Sequence, residues 1–366
     1  SRPIRQAGRK IGGYAGLRIG RGGPVACGMA DVVSLAMQLM AVPSLSGDEG
    51  RVITVAEGLL RDLGWHVRRI PVAPGGRDCL LAYGDRPPAV VLSTHLDVVP
   101  PWIPPRLDDT HLHGRGACDA KGIAAAMIVA ATNLRARGVA AGVLLVIGEE
   151  TVHDGARAAN AVPNTCRVLI NGEPTESKLA VGTKGVVRCT VTVRGRAAHS
   201  AYPHLGDSAT AKLVRLLAEL ETLDLPRHPV LGPTTVNIGF LAGGVADNVT
   251  APEATARLMV RLVTPVDETL AVLRRWVGDR AELVVETTVP AVVLGTVEGF
   301  ETEVMAYATD VPELTHWGTP YLFGPGTIHV AHTDEERIAL DELRAAVGAY
   351  ERLAEAALAR ESAARG

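Results

Sequence analysis

Apolar and polar positions along the chain follow two rhythms. In DVVSLAMQLMAVPSLSGDEGRVITVAEGLLRDLGW, apolar residues recur every three or four positions, which predicts two amphipathic helices split by a Pro/Ser/Gly break. AVVLST, GVLLVIG and RVLING are short continuous apolar runs, the pattern of strands covered on both faces. Between the first two runs, KGIAAAMIVAATNLRARG reads as an alanine-rich helix closed by Gly138. YLFGPG adds a late strand, and ALDELRAAVGAYERLAEAALAR a long terminal helix. This alternation predicts an α/β layer fold with a mostly parallel central sheet.

From about Leu179 to Val289 the pattern changes. GVVRCTVTVRG alternates apolar and polar, SATAKLVRLLAELETL is helical, TTVNIGFLAGG and ATARLMVRLVTP are strands, DETLAVLRRWVG is helical, and AELVVETTV is a strand. The order β-α-β-β-α-β is that of a split βαβ, ferredoxin-like unit. The expected organisation is a basic arm at 1–28, a first catalytic segment at 29–180, an inserted lid or dimerisation domain at 181–290, and a second catalytic segment at 291–366.

Composition adds limits. With 366 residues, two domains are more natural than one, and 47% apolar content suits a globular protein. No apolar run reaches the roughly 18 residues of a membrane span, so the default expectation is a cytoplasmic protein with no membrane partner. A net charge of −3 gives no reason to expect nucleic acid. The exception is SRPIRQAGRKIGGYAGLRIGRGGP, basic, glycine-rich and without an acid, which reads as a disordered arm or as residues upstream of a start near Met29. Five widely spaced cysteines without a CxxC pair suggest reduced thiols.

Ligands of an open parallel sheet gather at the carboxyl ends of its strands. Three of the apolar runs lead into acids there: His95 and Asp97 follow VVLST, Glu149 and Glu150 follow LLVIG, and Glu173 follows RVLING. A period of two puts His95 and Asp97 on one face, where a carboxylate can orient an imidazole that binds a metal. Asp119, in the glycine-rich GRGACDAKG, can cap the following helix or bridge two divalent ions. Glu149 and Glu150 would repel if buried without cations; one would bind metal and the other take a proton from water, unless the pair sits on an exposed loop. Near the end, GPGTIHVAHTDEERI offers His329 and His332, which spacing does not separate, and Thr333 with Glu336 forms a capping box for the last helix.

STHLDVVP, GRGACDAKG, GEET, NGEPT, GRAAHSAYPHLGDSA and GPGTIHVAHTDEE, in this order from about residue 30 to 355, resemble the M20 metallopeptidases, with the nearest likeness to acetylornithine deacetylase and succinyl-diaminopimelate desuccinylase. The resemblance implies two Zn2+ ions, replaceable by Co2+. One would be held by His95, Asp119 and Glu173, the other by Asp119, Glu150 and His332. It implies Glu149 as general base, Asp97 as the residue orienting His95, and His199 as an oxyanion donor reaching an active site, across the dimer in dimeric members; a homodimer through the lid and a monomer both stay open. Asn248 and Arg261 would meet substrate from the lid, Arg261 by gripping the substrate's carboxylate, and the Gly324–Gly326 turn would offer backbone N–H groups to that carboxylate. The substrate would be an N-acyl amino acid, with acetylornithine deacetylation as the first expectation, succinyl-diaminopimelate desuccinylation as the runner-up, and carboxypeptidase or dipeptidase action on short peptides after it. Cys118, beside the bridging aspartate, and Glu335, after the last histidine, depart from the family pattern; the thiol would be open to oxidation or to acting as an extra soft ligand. A non-catalytic binding protein of the same fold is the rival class, but it would be expected to lack part of a ligand set that here is complete.

Overall fold

The computed structural model describes residues 31–364 except 74 and 75. The stretch 1–28 expected to be a basic arm lies outside the described residues, as does Cys27. A six-stranded sheet organises the larger unit. Its order is His66–Ala73, Arg77–Tyr83, Ala141–Val146, Val90–His95, Val168–Asn171 and Thr319–Leu322. The last four are mutually parallel, and the first two form an antiparallel hairpin on one flank. The three central parallel strands are buried along their whole lengths, as their continuous apolar runs require.

The Lys121–Ala136 helix lies on this sheet and is itself covered by the Val32–Met40 and Leu340–Ala363 helices. Its alanines explain the arrangement, because small side chains let a helix be buried on nearly every side while keeping high helix propensity. A buried Glu49 carboxylate accepts from Arg77 Nε at 2.9 Å, and Arg77 Nη1 reaches Asp154 at 2.6 Å, tying two helix starts to the hairpin.

The inserted unit has its own core, built around Val187, Val191, Leu213, Leu258, Leu273 and Trp276. Four antiparallel strands run in the order Thr235–Gly243, Glu253–Leu262, Gly185–Arg194 and Glu282–Val289. The helices Ala209–Ala218 and Val266–Val277 join them in the β-α-β-β-α-β sequence. Leu179–Thr183 is not part of that sheet. It pairs with Val292–Val293 and Thr302–Met305, so the chain's entry into the insert and its exit run side by side. At this crossing a Cβ on Gly185 would collide with the Val289 carbonyl and the Ala291 nitrogen, so the two passes approach as closely as only glycine allows.

The last helix begins at Leu340, with Ala339 as its cap. The Thr333–Glu336 capping box expected from the sequence therefore does not form. The short strand Arg337–Ala339 intervenes, and Glu336 turns inward instead.

Candidate active site

Each candidate ligand sits where a parallel strand or loop ends. His95 is the last residue of its strand, Glu149 and Glu150 follow Ala141–Val146 through a turn at Gly148 (φ 74°), and Glu173 lies two residues beyond Val168–Asn171. Asp119 precedes the alanine-rich helix but does not cap it; Ala120 occupies that position without a side-chain hydrogen bond. The two Asp119 oxygens instead face two histidines. Oδ1 lies 3.0 Å from His95 Nε2, and Oδ2 lies 3.1 Å from His332 Nε2. On the first side Glu173 Oε2 stands 3.9 Å from His95 Nε2; on the second Glu150 Oε1 stands 3.0 Å from His332 Nε2. His332, at φ 63°, is the histidine of its segment that joins the cluster, while exposed His329 faces Glu176.

The electrostatics of this cluster call for cations. Burial pushes the Glu149 and Glu173 carboxyls well above the usual range, with neighbouring acids adding to it. Asp119 is buried too, yet hydrogen bonds from His332 and His95 hold its carboxyl low. The same contacts, first to Asp119 and then to Glu150, push His332 up to about 10. Glu173 Oε1 is buried with no hydrogen-bond partner. Single donor atoms of His95, Asp119 and Glu150 all lie within 4.8 Å of one another. Imidazole nitrogens and carboxylate oxygens in this proportion suit zinc or a similar divalent ion, and an orphaned buried carboxylate oxygen beside them fits a ligand role.

Asp97 acts differently from the simple expectation. His95 Nδ1 lies nearest the Asp97 main-chain carbonyl, at 3.0 Å, and 3.6 Å from its carboxylate. The carboxylate accepts from Ser46 Oγ at 2.7 Å and from the backbone N–H groups of Glu149 and Glu150, both at 3.2 Å. Asp97 thus ties the His95 strand end to the glutamate turn.

Arg115, not singled out in the sequence, and Glu336, expected there only as a capping residue, do comparable work. Glu336, fully buried, accepts from the N–H groups of Gly116, Cys118 and Asp119 and from Arg115 Nη1 at 2.8 Å. Arg115 also donates to the Thr333 carbonyl next to His332, so one ion pair joins the Asp119 loop to the His332 loop. Cys118 packs in this nest, its thiol pushed far up by burial and by Glu336, with Sγ 3.8 Å from Glu336 Oε1. Burial and the neighbouring Glu336 carboxylate disfavour its thiolate form.

A cavity of about 440 Å³ opens from the cluster toward the inserted unit, lined in part by Glu149, Glu150, His332, His153, Arg188 and Arg261. His153 is held by Asp310 at 2.8 Å, a pairing that spans 157 positions and leaves no local signal. Gly324 and Gly326 do not offer free N–H groups to this cavity. Gly324 donates to Thr175 Oγ1 and Gly326 to Glu342 Oε1, and Gly326 lets the chain pass against Cys118. His199 and Asn248 are exposed and adjacent to each other, the Asn248 carbonyl accepting from Ser200, but neither lines the cavity.

Residues 181–284 match the model of a peptidase dimerisation domain. A peptidase M20 domain-containing protein of Schizosaccharomyces pombe is 37% identical over 336 residues, covering 88% of this chain and 84% of its own length. The chain belongs to the M20 peptidase family. A probable carboxypeptidase of Aspergillus fumigatus is 35% identical over 385 residues, covering 90% of this chain and 88% of its own. An M20 family metallo-carboxypeptidase from Sulfolobus solfataricus shares the fold, with a TM-score of 0.70, 15% identity, and coverage of 90% of this chain and 100% of that one. As an M20 peptidase the chain is a hydrolase acting on amides, of a metal-dependent family. Its fold is the α/β catalytic unit with a separate dimerisation domain. Among the described residues no helix is long and apolar enough to cross a membrane.

Proposed function

We propose that this M20 peptidase is a two-zinc hydrolase that cleaves the amide next to a free carboxylate, releasing the C-terminal residue of short peptides or the amino acid of N-acyl amino acids. The observation that carries the reading is Asp119: each of its oxygens faces a different histidine, and each histidine has its own glutamate. His95, Asp119 and Glu173 would hold one ion, and Asp119, Glu150 and His332 the other. When bound, the ions acidify water and polarise the acyl carbonyl.

The remaining work falls to the chain itself. Glu149, at the cavity wall and free of a side-chain partner among the described residues, takes the proton of the attacking water and returns it to the leaving amine. Burial raises its basicity, which suits that task. Asp97 keeps Glu149 in place through its N–H. Arg261 on the inserted unit meets the substrate carboxylate, and closure of that unit about the paired crossings at Leu179–Thr183 and Val292–Val293 excludes water.

A homodimer fits the exposed edge strand Thr235–Gly243, which leaves Ile238, Phe240 and Leu241 uncovered. In such a dimer His199 and Asn248 would serve the partner's site, consistent with neither of them lining the cavity of their own chain. The acetylornithine reading has no support from the cavity. Glu313, the acid on its wall outside the ligand and base set, is paired with Arg157, so no free acidic wall awaits a cationic side chain.

The test is a zinc-loaded panel of dipeptides, N-acetyl amino acids including acetylornithine, and C-terminally amidated counterparts. Cleavage of the free acids with amidated forms slower by about a hundredfold is expected from loss of a charged contact. Equal turnover of acids and amides would refute the carboxylate requirement.

A further inference from the structure

The two walls of the cavity carry their positive charge differently. On the catalytic side each cation has an acid: His153 Nδ1 lies 2.8 Å from Asp310, and Arg157 Nη1 lies 3.3 Å from Glu313. On the inserted unit, Arg188 and Arg261 line the same cavity without such partners. Among the described residues, no carboxylate lies within 4.0 Å of either guanidinium, and neither side chain donates a hydrogen bond. The ladder sets Arg261 opposite Val186 and Met259 opposite Arg188. The two arginines are therefore diagonal neighbours on one face of the sheet, with backbones about 7–8 Å apart.

Arg261 is half-buried, and burial together with the charge of Arg188 depresses its pKa. Two like charges side by side at a partly desolvated wall repel, and among the described residues no carboxylate is close enough to pair with either. An anion in the cavity removes that repulsion. A single carboxylate paired with Arg261 alone would leave Arg188 without a counter-charge.

The spacing narrows the choice of anion. Because the guanidinium groups are neighbours, the carboxylates they take must be neighbours as well. The α- and side-chain carboxylates of one acidic residue meet that condition. Two carboxylates on opposite sides of the scissile amide are farther apart and would straddle the ligand cluster.

We propose that Arg188 and Arg261 form a subsite for a dicarboxylate, so that the preferred released residue is glutamate or aspartate. This rests on the reading that cleavage occurs next to a free carboxylate. Arg188 is then a specificity-determining residue: it meets the side-chain carboxylate while Arg261 holds the main-chain one.

The test compares kcat/KM for N-acetylglutamate and its neutral isostere N-acetylglutamine, using the zinc-loaded full chain and its Arg188→Gln variant. The wild-type ratio is expected to favour glutamate by about tenfold or more, mostly through KM, and to fall toward one in the variant. A wild-type ratio near one, or a ratio that the substitution leaves unmoved, would overturn the proposal. An equal loss on both substrates would also overturn it, since both arginines would then clamp a single carboxylate. So would faster turnover of N-succinylalanine than of N-acetylglutamate, which would put the second anion on the acyl side. If no amide in the panel is hydrolysed, the hydrolase reading fails separately, and equilibrium binding of glutarate against pentanoate still decides the subsite. Glutarate binding tighter by about tenfold, lost in Arg188→Gln, supports it; equal binding of the two acids overturns it.

Discussion

The floor of the cleft and its roof are built on opposite principles. On the floor nearly every charged group is tied: Asp97 holds the glutamate turn, Glu336 holds the Asp119 loop, and Arg115 spans to the His332 loop. On the roof, Arg188 and Arg261 have no ion-pair partner among the described residues, and His199 and Asn248 are exposed and do not line the cavity. Groups that must keep fixed mutual distances are locked by hydrogen bonds to the main chain beside the central strands. Groups whose partner is the ligand are left without one. An unpaired cation at a cavity wall is thus as informative as a dense ion-pair network, but about a different step.

The sharpest way to break this comparison is to remove Glu149, a floor carboxylate with no side-chain partner among the described residues. Glu149→Gln should lower kcat by about 10²- to 10⁴-fold while bound metal, read by atomic emission, stays as in the wild type. Unchanged kcat would mean that the proton passes elsewhere. Breaking the tied part of the floor should act on stability instead. Glu336→Ala strands the buried Arg115 guanidinium and should destabilise the chain by about 3–5 kcal/mol in urea unfolding. A loss under about 1 kcal/mol would show that the clamp is incidental.

Protonation sharpens the same contrast. His332 is raised to about 10 in the metal-free chain, so its contribution to folding is complete below about 6.5 and is lost as pH rises through about 10. Metal uptake at pH 7 to 8 must therefore expel protons, and calorimetric binding enthalpies should depend on the buffer's ionisation heat. Buffer-independent enthalpies would contradict the protonated state. The smallest expected effect lies on the roof's outer edge: Leu241→Lys should change monomer stability by no more than about 0.5 kcal/mol yet shift sedimentation toward monomer, since Leu241 is exposed on the edge strand. An undisturbed dimer would place the interface elsewhere.

Much of the floor was legible in the sequence because its signal is local. A buried parallel strand reads as a continuous apolar run, and an acid or histidine directly after it marks the strand's carboxyl end, as at His95, Glu149, Glu150 and Glu173. The inserted unit was legible through its change from continuous to alternating patterning, as in Gly185–Arg194. What escaped depends on contacts between distant positions. Glu336 resembles a capping residue locally, and only its pairing with Arg115, 221 positions away, reveals the clamp. The N–H groups of Gly324 and Gly326 looked available because their acceptors, Thr175 and Glu342, lie on other elements. Arg188 read as an ordinary polar position on an alternating strand, and its role emerges only with Arg261 beside it on the next strand.

The central claim is that Asp119 bridges two cation positions, each completed by one histidine and one glutamate. It is tested most directly by zinc stoichiometry after equilibrium dialysis of the wild type, His332→Ala and Asp119→Asn. The account predicts two ions per chain in the wild type, one tightly held ion in His332→Ala, and loss of both tight sites in Asp119→Asn. Two tightly held ions in all three proteins, or none in the wild type, would contradict it.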